Sequence, residues 1–325
     1  MPNTPAAPAA LRRNPGAPAS VAVLGAGLMG HGIAQVFAAA GSEVRIWDPD
    51  GDTLASVHRR IDANLEKIAG WQHAPTSQAS TGDRVSLSGS LEAAVSGVEV
   101  IFEASPENLG LKRNVVAQID RCNPEAVLAT NTSVLRIGDI AAGSPHSVRV
   151  VGAHWWNPPY LIPVVEVVPS EHTSDAVTDA VIAWLEGAGK LPVTVRKDVP
   201  GFIGNRLQFA LWREALNLVE EGVCDAGSVD LVARNTFGLR LAAMGPIENA
   251  DFIGLDLVRA IMDYVLPSLS AASSPPEILT TAVDGGRLGA KAGQGLLDWE
   301  QGDRERAHTR LLHGILNALG GERLP

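Results

Sequence analysis

The sequence predicts an α/β fold in which a doubly wound, mostly parallel sheet is followed by an all-α C-terminal domain. About six or seven short apolar segments alternate with helical patterns as far as residue 195, which is typical of a parallel sheet covered by helices on both faces. From Phe202 onward, apolar residues recur at helical spacing instead. We therefore expect a sheet domain at residues 20–197 and a helical domain at residues 198–325, after a disordered Pro/Ala-rich leader at residues 1–19.

Composition excludes several classes of protein. The formal net charge of −10 argues against a nucleic-acid-binding surface. No apolar run approaches the ~20 residues of a membrane span. The two cysteines, Cys122 and Cys224, are too few for a disulfide framework, and the leader lacks the apolar core of a signal peptide. These features favour a cytoplasmic protein, and no metal site is predicted.

A strand, a glycine-rich turn and a helix open the sheet domain. Ser20–Leu24 is an apolar strand, and the turn Gly25–Gly30 has the spacing GxGxxG. A helix then runs to Gly41, and the next strand, Val44–Trp47, ends in Asp48. GxGxxG alone is a weak signal because glycine is common. Strand, turn, helix, strand and terminal acid within about thirty residues, however, form the Rossmann dinucleotide-binding fingerprint.

Each residue of this fingerprint has a physical role. Gly25 makes the turn, Gly27 lets a pyrophosphate approach the backbone, and Gly30 lets helix and strand pack closely. The helix N-terminus faces the phosphates, so the predicted contacts in the turn are Gly25, Gly27, Leu28, Met29 and Gly30. Asp48 would bond the adenosine ribose hydroxyls and repel a 2′-phosphate, which favours NAD over NADP. The alternative is an ordinary strand–helix–strand unit without a ligand.

The next elements continue the alternation of helix and strand. Leu54–Ile68 has helical periodicity and predicts one amphipathic helix. The stretch at residues 71–83 is polar and predicts a loop. Arg84–Leu87, Val98–Phe102 and Val127–Thr130 are short strands.

A strand, a rigid loop and a second strand at residues 152–168 carry the chemistry. The β-branched residues Val148, Val150 and Val151 lead to His154, and three prolines restrict the loop after it. The second strand is apolar except for Glu166 in its middle. An unpaired carboxylate there would cost several kcal/mol, on the order of the buried-charge penalty. We therefore expect Glu166 to pair with His154 and make it a general base; the alternative is a buried histidine that the glutamate merely satisfies.

The sheet domain ends within the next thirty residues. Val177–Leu185 predicts a helix, and Leu191–Val195 predicts the closing strand. Lys197–Gly201 marks the domain boundary. The helical pattern that follows has a long apolar face from Leu207 to Val219.

Together these motifs resemble the L-3-hydroxyacyl-CoA dehydrogenase family. His154, Asn157, Pro158 and Glu166 match its H-F-x-N-P and V-E-V motifs, including the twelve-residue step from His154 to Glu166. The wording NPPY-IP-VE-VP is most similar to the λ-crystallin and L-gulonate 3-dehydrogenase branch. The resemblance extends over about residues 20 to 300, nearly the whole chain.

The resemblance implies further site residues. Ser133, twenty-one residues before His154, would hydrogen-bond the 3-oxygen of the substrate, and Asn205 would bond the substrate carbonyl. The structural alternatives are a turn residue and a helix cap. Glu107 and Lys112 match an E-x-x-x-x-K motif on the nicotinamide side of the cofactor, with an exposed helix-start charge pair as the alternative. Ser133 and Asn157 are also expected to contact NAD.

The resemblance implies an NAD-dependent dehydrogenase that converts a 3-hydroxyl to a 3-keto group, as in fatty acid metabolism. The substrate is a short L-3-hydroxy acid or its CoA thioester. The loop at residues 71–83 replaces part of a helical hairpin that holds CoA in the family, which favours a free acid. Arg240, in a G-x-R-x-A-x-x-GP segment, would then bind the carboxylate, with a surface ion pair as the alternative.

Two further expectations concern assembly and a competing role. The family pairs through its helical domain, and the apolar face from Leu207 to Val219 exceeds what a small domain needs for its own core, so we expect a homodimer. The competing hypothesis is a non-catalytic, NAD-binding structural protein of λ-crystallin type. It requires none of His154, Glu166, Ser133 and Asn205, and their joint presence argues against it.

Overall fold

The computed structural model describes residues 16–69 and 81–320. The chain forms two compact units, one ending at Arg206 and the other beginning at Leu207. Most of the predicted leader, up to residue 15, lies outside the described residues, as does the greater part of the predicted loop at residues 71–83. In the part that is described, no helix is long and apolar enough to cross a membrane.

The first unit is built on an eight-stranded sheet with the order β3-β2-β1-β4-β5-β6-β7-β8. Every neighbouring pair is parallel except β6 and β7, which are antiparallel. The strands are β1 Ser20–Leu24, β2 Glu43–Trp47, β3 Val85–Leu87, β4 Val100–Glu103, β5 Val127–Thr130, β6 Val150–Trp155, β7 Val164–Pro169 and β8 Leu191–Thr194. All residues of β4, β5 and β6 are buried, as expected for central strands covered on both faces.

Helices cover both faces of this sheet. They are α1 Gly30–Ala39, α2 Gly51–Ala55, α3 Val57–Ile68, α4 Leu91–Val95, α5 Leu109–Cys122, α6 Ile137–Ala141 and α7 Asp175–Gly187. One buried apolar cluster joins the sheet to α1, α3 and α7, and a second joins it to α4, α5 and α6. The predicted doubly wound, mostly parallel sheet is therefore confirmed.

The predicted single helix at Leu54–Ile68 is wrong in one respect, because the structure divides it at Ser56. The Ser56 hydroxyl donates a hydrogen bond to the Thr53 carbonyl over 2.7 Å. Such a local side-chain bond competes with the helical backbone ladder. The short helix before Ser56, α2, has its own N-cap, because the Asp50 carboxylate accepts from the Thr53 N–H over 2.6 Å.

The second unit is helical, as predicted. Its helices are α8 Gly204–Glu220, whose first turn still belongs to the first unit, α9 Ala226–Asn235, α10 Phe237–Leu241, α11 Pro246–Ile253, α12 Leu255–Val265, α13 Glu277–Asp284 and α14 Asp303–Gly320. Among its described residues only Ala282 and Leu312 are buried, whereas Leu207, Phe209 and many other large apolar side chains are exposed. Within one chain this unit has almost no hydrophobic core.

Candidate active site

Most of the predicted site residues of the first unit follow the carboxyl ends of its parallel strands. The glycine-rich turn follows β1, Asp48 follows β2, Glu107 follows β4, and Ser133 follows β5. His154 lies near the end of β6. In a parallel sheet these ends meet at one edge, which is where ligands bind in open α/β folds. The topology therefore gathers residues that are far apart in the sequence.

The turn after β1 depends on two glycines. Gly25 has a φ of +96°, and an added Cβ would lie 2.6 Å from the Ala104 carbonyl oxygen. An added Cβ at Gly30 would overlap the Gly25 carbonyl oxygen. At Gly27 nothing lies within 4 Å of an added Cβ, so open space is left beside this part of the backbone. The turn has the cradle and the access that a pyrophosphate requires.

Polar side chains brace the same turn from both sides. The Asp48 carboxylate accepts from the Ala26 N–H over 2.6 Å. The Arg60 guanidinium, on α3, donates to the carbonyls of Ala26 and Gly27, the second over 3.2 Å. The imidazole of His31 contacts the Gly27 carbonyl, and burial lowers the pKa of this histidine. The residues present fit a dinucleotide, with Asp48 beside the turn as the fingerprint requires.

His154 and Glu166 form a buried pair. They are opposite each other on β6 and β7, and His154 Nδ1 lies 2.7 Å from Glu166 Oε2. Oε1 of Glu166 accepts from the backbone N–H groups of Ile203 and Gly204, over 2.9 and 3.0 Å. Burial alone would raise the pKa of Glu166, but the hydrogen bonds from His154, Gly204 and Ile203 outweigh it and hold that pKa below its ordinary value.

The ionised carboxylate decides which nitrogen of His154 is free. A carboxylate only accepts hydrogen bonds, so Nδ1 must carry the proton that lies between His154 and Glu166. Nε2 is then left with a lone pair. The rings of Trp156 and Phe202 lie 4.9 and 5.8 Å from the His154 ring and enclose it. The arrangement can take up a proton at Nε2 and stabilise the resulting cation.

Glu107 holds the turn that carries Ser133. Its Oε1 accepts from the Thr132 hydroxyl over 2.5 Å and from the backbone N–H groups of Ser133, Val134 and Leu135 over 3.0 to 3.3 Å. Asn205 Nδ2 donates to the Ser133 carbonyl over 2.8 Å. The structure thus brings Ser133, Glu107 and Asn205 together, while their contacts with cofactor and substrate stay predictions.

Lys112 is fully buried, so the alternative of an exposed charge pair with Glu107 is wrong. Its ammonium donates to both Glu103 oxygens over 3.0 Å and to the Ser105 carbonyl over 3.2 Å. Its distance to the Glu107 carboxylate is 3.8 Å. These three hydrogen bonds use all three of its protons, so Lys112 acts on Glu107 only through its charge. Its predicted cofactor contact stays a prediction.

Sequence reasoning missed several residues that support the site. Glu103 ends the apolar strand β4 and accepts from Lys112 and from the Thr130 hydroxyl over 2.6 Å. A lone carboxylate in an apolar strand was the available signal, the same one that identified Glu166. Arg60 had no such signal, because it lies on a helix more than thirty residues from the turn.

Another such residue lies under the loop between β6 and β7. Lys190 donates to the carbonyls of Pro159 and Ile162, over 2.6 and 3.0 Å, and its burial lowers its pKa to about 8. The loop contains the exposed Asn157, the predicted cofactor contact, whose peptide bond to Pro158 is cis. Lys190 therefore ties together two points of the loop that carries Asn157.

Arg240 belongs to the second unit. It lies on α10 with an exposed side chain, and none of the ion pairs among the described residues involves it. The surface ion pair considered as an alternative is therefore absent from that part of the chain. Binding of a substrate carboxylate by Arg240 stays a prediction.

Comparison with known proteins bears on the identity of this site. The L-carnitine dehydrogenase of Streptomyces coelicolor is 38% identical over 253 residues, which are 77% of this chain and 79% of that protein. The lambda-crystallin homolog of Bos taurus is 38% identical over 236 residues, or 72% and 74% of the two chains. A solved 5-formyl-3-hydroxy-2-methylpyridine 4-carboxylic acid 5-dehydrogenase, an NAD⁺-dependent dismutase, superposes with a TM-score of 0.87 at 27% identity, covering 94% of this chain and 99% of that one.

Family models agree with these relatives over nearly the whole chain. The NAD-binding domain of 3-hydroxyacyl-CoA dehydrogenase matches residues 20–199, and the C-terminal domain of the same family matches residues 201–299. The nucleotide turn and the His154–Glu166 pair lie within the first match. The chain belongs to the 3-hydroxyacyl-CoA dehydrogenase family and is an NAD-dependent dehydrogenase that acts on a hydroxyl group.

Proposed function

We propose that this enzyme reversibly oxidises the 3-hydroxyl of a short L-3-hydroxy acid, or of its CoA thioester, to the 3-keto compound. The observation that carries this proposal is the buried contact between His154 Nδ1 and Glu166, which leaves Nε2 free. In the proposed reaction Nε2 takes the proton of the C3 hydroxyl, and Glu166 stabilises the imidazolium. Bound NAD supplies the hydride acceptor. In the reverse direction the imidazolium returns the proton.

Two further groups position the substrate in this proposal. The Ser133 hydroxyl bonds the 3-oxygen, and the Glu107 cap on its turn keeps that hydroxyl in place. Asn205 uses one N–H of its amide on the Ser133 carbonyl, and an amide has a second N–H that is available for the substrate carbonyl. Holding the reacting oxygen near His154 removes the entropic cost of finding that geometry in each turnover.

Of the two substrate forms, we favour the short free acid. L-Carnitine, for which one relative is named, is a 3-hydroxy acid with a free carboxylate, and the compound named for the similar solved structure also has a free carboxylate. Arg240 is our candidate for that carboxylate, because its exposed guanidinium has no acidic partner among the described residues. A guanidinium can hold a carboxylate through two parallel hydrogen bonds.

The test is a dehydrogenase assay by NADH absorbance over free 3-hydroxy acids and the matching CoA thioesters. We expect kcat/KM to be at least ~10-fold higher for the best free acid, an effect of about 1.4 kcal/mol. Arg240→Gln should raise the KM for the free acid and leave the KM for the thioester unchanged. Arg259→Gln, which removes another exposed arginine of the same unit, is the control. A thioester preferred over every acid would reject the free-acid proposal.

Asp48 leads to a prediction about the cofactor. Its carboxylate already supports the turn, and in the Rossmann fingerprint this position bonds the ribose hydroxyls. We expect NAD to exceed NADP by at least ~10-fold in kcat/KM, because a 2′-phosphate beside this carboxylate is repelled. Asp48→Asn should weaken the preference, whereas Asp52→Asn, an exposed acid in the first turn of α2, should not. Equal activity of the wild type with both cofactors would remove Asp48 from this role.

We also propose that the chain forms a homodimer through its second unit. Only Ala282 and Leu312 are buried among the described residues of that unit, too few to offset the entropy lost on folding. A second copy offers the same apolar surface, and self-complementary surfaces close into a two-fold dimer.

A purely structural role of λ-crystallin type is less favoured than catalysis. A structural protein has no need of an ionised carboxylate buried against a histidine, since burying a charge is costly.

Cys122 and Cys224 are both free, which supports the cytoplasmic location that forms part of this proposal.

A further inference from the structure

Ile203 and the first two residues of α8, Gly204 and Asn205, hold the candidate site. The backbone N–H groups of Ile203 and Gly204 donate to Oε1 of Glu166 over 2.9 and 3.0 Å. Asn205 Nδ2 donates to the Ser133 carbonyl over 2.8 Å. The start of α8 and the residue before it therefore fix both the carboxylate of the His154–Glu166 pair and the turn that carries the serine.

Trp156 lies directly against Gly204. A Cβ added at Gly204 would lie 3.0 Å from Cη2 of the indole and closer still to Cζ2. The same indole ring lies 4.9 Å from the His154 ring. Trp156 thus fills the space between the first turn of α8 and the imidazole, and a methyl group at position 204 cannot share that space with it.

Backbone conformation does not explain this glycine. Gly204 does not have a positive φ, so any amino acid can adopt its backbone conformation. Glycine also weakens a helix relative to alanine, because it loses more conformational freedom on folding. Space for the indole ring is the reason that remains.

We propose that Gly204 is a positioning residue of the His154–Glu166 pair: its missing side chain lets Trp156 pack between the first turn of α8 and His154, and so keeps two backbone N–H groups on Glu166. This inference rests on the proposed function of the pair. A side chain at position 204 must push either the helix turn away from Glu166 or the indole away from its place beside His154. Either movement loosens the pair.

The decisive experiment compares Gly204→Ala, Trp156→Phe and the double variant. The indole atoms nearest to the added Cβ belong to its six-membered ring, and the smaller phenyl ring leaves that space open. We expect Gly204→Ala to lower kcat/KM by at least ~10-fold, since misplaced catalytic groups are costly. The double variant should return to within about threefold of Trp156→Phe, because contacting residues are non-additive.

The pH profile separates positioning from a general loss of structure. Without the two N–H donors the pKa of Glu166 rises, so the acid limb of kcat/KM should move to higher pH in Gly204→Ala and return in the double variant. Gly138→Ala is the matched control. Gly138 also lies in the first turn of a helix and donates its N–H to a carboxylate, that of Asp198 over 2.8 Å, but its added Cβ has only ordinary contacts.

Several outcomes would overturn the inference. Wild-type kcat/KM and an unmoved acid limb in Gly204→Ala would do so, and so would a double variant no better than Gly204→Ala. If Gly204→Ala does not fold, the double variant decides alone, since a steric cause requires it to fold and work. NMR signals of the His154 ring, followed across pH, provide a readout without turnover. A change in Gly204→Ala that the double variant reverses would uphold the inference even if the wild type oxidised no 3-hydroxy compound.

Discussion

Replacing Glu166 with glutamine is expected to lower kcat by ~10²–10⁴-fold while leaving NAD binding nearly unchanged. Glutamine keeps the shape, and its carbonyl oxygen can still accept from the N–H groups of Ile203 and Gly204. Its NH₂ group then faces His154 Nδ1, where the carboxylate oxygen was. Two donors cannot share a hydrogen bond, so the imidazole moves its proton to Nε2. The nitrogen that should accept the substrate proton is then occupied, and the stabilising charge is lost.

Steady-state kinetics and NAD titration would measure this effect. His154→Gln should be at least as damaging, and the double variant little worse than the worse single variant, because the two groups act as a unit. Glu171→Gln is the matched control, since Glu171 forms an exposed pair with His172 at 3.7 Å. A kcat for Glu166→Gln within twofold of wild type would show that Glu166 is only a residue of its strand.

Placing a charge on the apolar surface of the second unit is expected to dissociate the protein and unfold that unit. Leu207 and Leu211 lie one helical turn apart on α8, and both are exposed within one chain. If a second copy covers these two leucines, replacing each by aspartate removes ~1.5–3 kcal/mol of stabilisation from apolar burial. The cost of desolvating each new charge is added to this loss. With so few buried residues, the unit cannot absorb this loss.

Sedimentation and far-UV circular dichroism at micromolar concentration would follow this change. We expect a dimer for the wild type, and for Leu207→Asp with Leu211→Asp a monomer with reduced helix content. Leu111→Asp is the control, because Leu111 is an exposed leucine on helix α5 of the first unit. A wild-type monomer that keeps its helix content on dilution would contradict the proposed homodimer.

Local patterns in the sequence were enough for the fold and for the core of the site. Alternating strands and helices specify a doubly wound sheet, since each apolar face must be covered. Strand, glycine turn and terminal acid specify the nucleotide loop, because its requirements are met within thirty or so residues. The expected contact of Glu166 with His154 is present for a similar reason: a carboxylate in an apolar strand needs a partner, and the adjacent strand supplies one.

Only the tertiary structure decided what surrounds that core. Glu166 Oε1 accepts from Ile203 and Gly204, which are thirty-seven and thirty-eight residues away in the sequence. Three other contacts likewise join separate elements. Glu107 accepts from the turn that carries Ser133, Lys112 donates to Glu103, and Trp156 packs against Gly204. Periodicity reports which face of an element is apolar, but the neighbour of that face depends on how the strand ends meet. For the same reason, an apolar helix face that packs into a core has the same sequence pattern as one that forms an interface. Only the structure shows that the apolar face of α8 is exposed within one chain.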